Sequence, residues 1–365
     1  MNLSSRIALL YIGIIRQARL LAICSFSTFL FKKRDLYKKI LINRDGAFGD
    51  SVVALPAIKL IRQNFPTAQI DLLSVNNNSV SFKDLGLQEG LIDNLYVVNK
   101  KERSKTLKSL KQSSYDLFIQ IPQNIGIYKS IRNMLLVRYY LNIKSAFGWD
   151  SGRIKSFMRH QKQFLKIPTE TQRFINTLQR NGINGNVDYP LHSQEPKQSI
   201  FEQGAATYEP IVFLIGGKLQ PKKWPLENWV TLAELIGSQE KILLIGGKDE
   251  TDEAEFILSK TANTTNLCGK LTIPELNHVF KNTKLAISLD TGAMHLCDAA
   301  GTKVIALFST RDLSNKWFPN NKNSIVIEKV LSCSFCLKTE CSNNICMSNI
   351  KPKEVYACIE KLLAC

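Results

Sequence analysis

The sequence predicts two doubly wound α/β domains in tandem, and two observations carry that reading. A strand, a glycine turn, a helix and a second strand follow one another at each end of the chain, and short apolar strands alternate with amphipathic helices through both halves. At 365 residues the chain is long enough for two substantial cores.

The clearest unit is 284–308, KLAISLDTGAMHLCDAAGTKVIALF. Residues 285–289 read as a buried strand, Asp290-Thr291-Gly292 as a turn, and His295, Leu296, Ala299 and Ala300 belong to a helix that Gly301 stops. A second strand at 304–308 makes the pair parallel. The turn therefore lies at the carboxyl end of its strand, where open α/β sheets place ligands. Asp290 or Thr291 can cap the helix, Gly292 lets backbone N–H groups approach a ligand, and such a helix start suits a phosphate.

The first half opens with a strand at 39–43, the turn Arg44-Asp45-Gly46-Ala47-Phe48-Gly49-Asp50 and one helix from Ser51 to Phe65, with Pro56 early in it and Pro66 ending it. Strands at 69–75, 94–98 and 116–120 follow. The stretch 121–205 shows helical pieces and basic residues but no clear period. The second half reads as strand 210–215, loop 216–225, helix 227–237, strand 241–245, the turn Gly246-Gly247, helix 253–261 and helix 276–282. The expected domains are a basic amphipathic helical segment at 1–39, a first domain at 40–200 and a second at 210–350, joined by a linker at 196–209. A helix at 351–365 is expected to return to the first domain.

Composition narrows the partners. Hydrophobic content of 44% and charged content of 22% are ordinary, but a net charge of +17 calls for an anionic partner. No basic repeat or aromatic–basic motif points to nucleic acid. No G-x-G-x-x-G opens a helix after the first strand, which disfavours a dinucleotide dehydrogenase. The apolar run 20–31 falls short of the ~20 residues that span a bilayer, and Arg16 and Arg19 precede it. No small-residue cleavage site follows it, so a signal peptide is poorly supported. Two readings remain: a basic amphipathic helix lying on anionic lipid, or a helix packed across the two domains.

Four of the nine cysteines, Cys333, Cys336, Cys341 and Cys346, form Cys-x2-Cys-x4-Cys-x4-Cys. In the cytoplasmic setting expected for such a chain, disulfides rarely persist. Four thiolates at this spacing can close a structural zinc or iron–sulfur site; reduced thiols and disulfides are the alternatives.

Taken in order, Gly49-Asp50 with Pro56, Lys222-Lys223-Trp224-Pro225, Gly246-Gly247 with its following acids, and Asp290-Thr291-Gly292-Ala293-Met294-His295 resemble glycosyltransferase family 9, the ADP-heptose:lipopolysaccharide heptosyltransferases. Phe65-Pro66-Thr67-Ala68-Gln69-Ile70 adds to the likeness. The resemblance implies a GT-B fold, two Rossmann-like domains facing across a cleft. It implies inverting transfer of a heptose from ADP-heptose, bound by the second domain, to a lipid A–core acceptor on the first, with no obligatory metal. It also implies a peripheral enzyme at the cytoplasmic face of the inner membrane, with the basic first half meeting anionic lipid.

On this likeness Asp50 is the candidate general base, with a helix N-cap as its structural alternative. Lys222 matches the family's diphosphate-binding lysine, while Gly217 and Lys218 stand where relatives carry hydroxyl residues; Lys218 could itself serve. Asp290, Thr291 and Gly292 would hold diphosphate or sugar. His295, one helical turn on, would donate to phosphate or be structural. Of Asp249, Glu250, Asp252 and Glu253, one could bind the ribose hydroxyls, Asp249 being the candidate; an exposed acidic first helical turn is the structural alternative. The competing readings are transfer of another nucleotide-linked sugar to a different glycan, and a noncatalytic nucleotide-binding module at the membrane.

Overall fold

In a computed structural model of the chain, the described residues are 18, 21–32, 36–75, 82–85, 90–98, 101–121, 127–149, 168–191, 209–334 and 336–364. The chain divides into two compact units, one built from residues up to Pro190 with 84–86 excepted, the other from Leu191 onward. The expected linker at 196–209 lies outside the described residues except for its last position.

The first unit holds β1 (Lys39–Asn43), β2 (Gln69–Val75), β3 (Asn94–Val98), β4 (Leu117–Gln120) and β5 (Ser145–Phe147). They form one parallel sheet in the order β3-β2-β1-β4-β5. The helices are α1 (21–30), α2 (Phe48–Val52), α3 (Leu55–Asn64), α4 (Arg103–Gln112), α5 (Ile127–Leu135) and α6 (Glu170–Arg180). Ile40, Leu41 and Ile42 are fully buried, so β1 is covered on both faces, as a continuous apolar run in a parallel sheet requires. Around Leu41 gather Ile23, Leu30 and Phe31 of the amino-terminal segment with Met134 and Val137. Trp149 stacks on Phe31 and on Phe118, with ring centroids 5.3 Å and 5.5 Å apart. The described part of the amino-terminal segment thus buries Ile23, Leu30 and Phe31 in this unit's core and leaves Leu21, Phe29 and Leu36 exposed. Residues 1–17 and 19–20, which carry most of the expected amphipathic helix, lie outside the described residues.

The helix expected over 51–65 is two helices, α2 and α3, with a turn at Val53-Ala54. Pro56 explains the break. It has no N–H to give the carbonyl four residues back, and its ring clashes there, so it opens a new helix instead of continuing the old one.

The second unit holds β6 (Ile211–Leu214), β7 (Ile242–Ile245), β8 (Thr264–Asn266), β9 (Leu285–Leu289), β10 (Val304–Phe308) and β11 (Ile325–Glu328). All pair in parallel, in the order β11-β10-β9-β6-β7-β8. Its helices are α7 (Leu226–Ile236), α8 (Thr251–Leu258), α9 (Ile273–Lys281), α10 (Gly292–Ala299), α11 (Ile345–Ser348) and α12 (Pro352–Leu363). Trp229 packs on Phe213 and Trp224 beneath α7. Gly301 sits at φ +91° just past α10, a left-handed cap that costs a side-chain residue more than glycine. The carboxyl-terminal helix corrects an expectation: α12 packs on α7 and puts Val355 and Ile359 into the core of the second unit.

Candidate functional site

Each sheet reverses its strand order once, and candidate residues cluster at the carboxyl edge there. In the first unit the reversal falls at β1, between β2 and β4. The turn after β1 wraps tightly around Asp50. A Cβ on Gly46, whose φ is +152°, would lie 2.4 Å from Asp50 Cβ, so only glycine fits.

Asp50 is not the helix cap. It is the third residue of α2, and its Oδ2 accepts the N–H of Ala47 at 3.0 Å. Its Oδ1 accepts from Arg44 Nη2 at 3.1 Å, and its backbone carbonyl accepts from Arg44 Nε and Nη2 at 3.3 Å and 3.2 Å. Arg44 is only 2% exposed while the Asp50 side chain is 30% exposed, so the cation lies beneath and the carboxylate faces out. A carboxylate has about four acceptor positions, which leaves room for a substrate hydroxyl.

The floor of this turn comes from far along the sequence. The Phe174 ring lies 4.7 Å from the Arg44 guanidinium carbon, Arg173 pairs with Glu170, and Thr171 Oγ1 donates to the Val53 carbonyl at 3.2 Å. Burial pulls the Arg44 guanidinium down to about 10, against the opposing pull of Asp50 and Glu170. Arg44, Glu170, Arg173 and Phe174 were absent from the sequence-based candidates. Arg44 could have been noticed as a charge ending an apolar strand; the α6 residues carry no such signal.

In the second unit the order reverses at β6 and β9, which lie side by side with Leu214 opposite Ser288. The loops leaving these strands therefore start as neighbours, and Lys222 Nζ lies 2.5 Å from Asp290 Oδ2. The side chains are 18% and 9% exposed. Thr291, not Asp290, caps α10, its Oγ1 accepting from the Met294 N–H at 3.3 Å. Asp290 is thereby left to the lysine. Gly292 opens α10, and its N–H is one of the first-turn donors that no carbonyl within the helix can meet, so it can face an anion.

The other candidates fare unevenly. Gly217 is buried and its Cβ position lies 3.5 Å from Lys223 Cγ, so the loop is close-packed there, whereas Lys218 is exposed. His295 is 5% exposed and meets Trp317 edge-on at 5.9 Å, a packed position inside α10. Of the acids after Gly247, Glu250 accepts the Gly247 N–H at 2.8 Å and Glu253 pairs with Lys223. Asp249 and Asp252 are exposed.

For the four clustered cysteines a metal site stands beside reduced thiols and disulfides as alternatives. All four are free thiols, Cys333 and Cys336 exposed, Cys341 and Cys346 partly so. Among the described residues no three His, Cys, Asp or Glu side chains converge to hold a metal. Their segment nonetheless touches the lysine loop: the Cys341 N–H donates to Gln220 Oε1 at 3.2 Å and Asn344 Nδ2 to the Lys223 carbonyl at 2.8 Å.

Comparison with known proteins agrees with this layout. The family profile described as glycosyltransferase family 9 (heptosyltransferase) matches residues 103–346. Lipooligosaccharide heptosyltransferase 2 of Campylobacter jejuni is 24% identical over 335 residues, covering 89% of this chain and 98% of its own. Among solved structures, a glycosyl transferase family 9 protein from Veillonella parvula superposes with a TM-score of 0.69 at 19% identity, over 91% of this chain and 99% of its own. An Escherichia coli heptosyltransferase solved with ADP gives 0.62 at 20% identity, over 89% and 99%. These likenesses show the fold, a GT-B pair of doubly wound α/β domains.

Proposed function

The chain belongs to glycosyltransferase family 9, the heptosyltransferases, and is a glycosyltransferase; from that membership we propose that it transfers a heptose from ADP-heptose to a hydroxyl of a lipopolysaccharide-core acceptor. The observation that carries the proposal is the Lys222–Asp290 pair at the head of α10, a fixed ammonium beside first-turn helix N–H groups where the sheet reverses. A pyrophosphate is the ligand such a place suits, and a relative solved with ADP supports that choice.

As the bond from C1 of the sugar to the β-phosphate oxygen breaks, negative charge grows on that phosphate. An ammonium already aimed at it stabilises the transition state more than the bound donor. Asp290 orients the lysine and neutralises it until phosphate arrives. Thr291 and Gly292 offer backbone N–H groups, and exposed Asp249 is the acid suited to ribose hydroxyls. On the first unit Asp50 accepts the proton of the attacking hydroxyl through its outward carboxylate, held by Arg44 and the Ala47 N–H. The acceptor oxygen attacks C1 from the face opposite the departing ADP, which inverts the anomeric centre.

The same reading extends to an anionic membrane surface. The outward face of α5 and the turn after it shows Tyr128, Leu135 and Tyr139, exposed by 74%, 39% and 68%, with Arg132 between them. Residues 101–149 carry nine Lys or Arg against two acids, Glu102 and Asp116. Aromatic side chains among cations suit lipid headgroups.

The test is transfer to purified core acceptor, read by mass spectrometry, with ADP-heptose set against GDP- and UDP-sugars. ADP-heptose alone should support turnover. Asp50→Asn should lower kcat by about a hundred- to ten-thousand-fold while ADP still binds. Lys222→Met should weaken ADP itself. Turnover with a GDP- or UDP-sugar in place of ADP-heptose would move the chain to another surface glycan.

A further inference from the structure

The segment 331–348, which carries the clustered cysteines, runs between two loops at the carboxyl edge of the second sheet. At the β10 loop, Ser334 Oγ donates to Thr310 Oγ1 at 2.9 Å, the Leu337 N–H to the Arg311 carbonyl at 3.0 Å, and Arg311 Nε to the Lys338 carbonyl at 2.7 Å. At the β6 loop it makes the two contacts that bracket Lys222, Cys341 N–H on Gln220 and Asn344 Nδ2 on Lys223. Between β10 and β6 lies β9, the strand that ends at Leu289, just before Asp290. A cavity of ≈ 310 Å³, lined by Gln220, Lys223, Trp224, Glu253, Asn343 and Asn344, opens beside the Lys222 turn. On that side the two strap hydrogen bonds and the Lys223–Glu253 pair hold the turn beside the cavity.

Asn344 is the hinge of the arrangement. It sits in the left-handed region at φ +39°, its side chain gripping Lys223 while its backbone N–H donates to Cys341 Sγ at 3.4 Å. That N–H, with the one from Asn343, draws the Cys341 thiol below its ordinary value.

We propose that Asn344 is a positioning residue for donor binding. Its side-chain amide sets the backbone that carries Lys222, and its N–H on the Cys341 sulfur makes that setting depend on an unmodified thiol. The proposal rests on Lys222 binding the donor diphosphate. A small change in the strap then reaches the ammonium through one carbonyl, because Lys223 is the next residue in the chain.

The probe is ADP, with its Kd measured by calorimetry on the full chain. Asn344→Gly removes the amide yet accepts the left-handed backbone, and Asn344→Asp sets a carboxylate against the Lys223 carbonyl. Loss of one such hydrogen bond should raise the ADP Kd about 5- to 10-fold in the glycine variant, and further in the aspartate variant. Acceptor KM should stay unchanged. A purely structural role would lower Tm without moving the Kd of the folded protein.

A second readout is alkylation by N-ethylmaleimide. The Cys341 sulfur adds across the maleimide double bond and its proton passes to the neighbouring carbon. Saturating ADP should slow modification of Cys341, followed by peptide mass spectrometry, while that of exposed Cys333 keeps its rate. If Asn344→Gly binds ADP as the parent does while Lys222→Met does not, the proposal is wrong and the donor site stands. Wild-type ADP affinity in the Lys222→Met variant as well would sink the donor-site reading beneath it.

Discussion

At the scale of single residues, Arg44 is the largest departure from what composition leads one to expect, a cation 2% exposed beneath a carboxylate. Its partners are the Asp50 carboxylate and carbonyl and the Phe174 face, so it ties the β1 turn to α6. Methionine keeps the buried bulk but loses the hydrogen bonds to the Asp50 carbonyl and carboxylate. Arg44→Met should therefore cost about 2 kcal/mol in urea unfolding, the scale of hydrogen bonds that involve a charged group. It should also lower kcat for transfer, since Asp50 loses the group that aims it. Arg44→Lys, keeping the charge without the two-pronged grip, should fall between the two. A methionine variant with parental stability and turnover would remove Arg44 from the account.

Asp50 and Lys222 were legible because each follows an apolar strand inside glycine- and proline-marked loops, a purely local signal. Their partners were not. Arg44 lies six residues from Asp50 but meets it only because the turn folds back, and Glu170–Phe174 arrive from more than a hundred residues on. The role expected for His295 at phosphate has a packing alternative in the structure, where the ring is buried against Trp317. Nothing in its helical spacing separates those outcomes.

At the scale of elements, the joint between α3 and β2 shows how side chains close a parallel crossover. Arg62 near the end of α3 donates to the Ala68 carbonyl at 2.7 Å and pairs with Asp93 at 2.7 Å, and Asp93 also accepts the Ile70 N–H at 2.6 Å. Partial burial works to raise the Asp93 carboxyl, but the Ile70 N–H and Arg62 outweigh it and hold it below its ordinary 3.8. A carboxyl depressed in the folded state adds stability that is present above its unfolded value and disappears as pH falls through the folded one. Asp93→Asn should thus lower Tm at pH 7, and the gap should close as pH drops below about 3.8. An equal gap across pH 3 to 7 would assign the effect to packing.

The central strands were readable as elements, since each is a short apolar run with a turn residue at its end. The edge strands β8 and β11 were not, because TTN and IVIE lack a run long enough to distinguish them from loop. Pro56 marks the α2–α3 break, but in sequence alone a proline early in a helix is equally compatible with one helix from Ser51 to Phe65. The cysteine spacing was legible as a motif, yet its structural use in the described residues is a strap hydrogen-bonded to two loops, which spacing alone does not encode.

At the scale of the whole molecule, a charge of +17 and the exposed Tyr128–Leu135–Tyr139 face bear on where the enzyme works. No helix among the described residues is long and apolar enough to cross a membrane. If the face meets an anionic bilayer, the full chain should sediment with phosphatidylglycerol vesicles and not with neutral ones, and added salt should release it. Changing Tyr128, Leu135 and Tyr139 together to Ser should cut vesicle binding several-fold while leaving ADP binding intact. Binding that survives the triple change would place the membrane contact elsewhere.

By itself the sequence determined the class of the fold, the parallel pairing within each half and which turns lie at strand carboxyl ends. Those follow from apolar runs and glycine or proline punctuation, which act over a few residues. Only the tertiary structure decided which turns become neighbours: β6 beside β9, hence Lys222 against Asp290; α6 beneath the β1 turn, hence Phe174 under Arg44; α12 on α7. Strand order depends on how crossovers of dozens of residues pack across a sheet, and that is settled by burial summed over a whole domain, which no short stretch records.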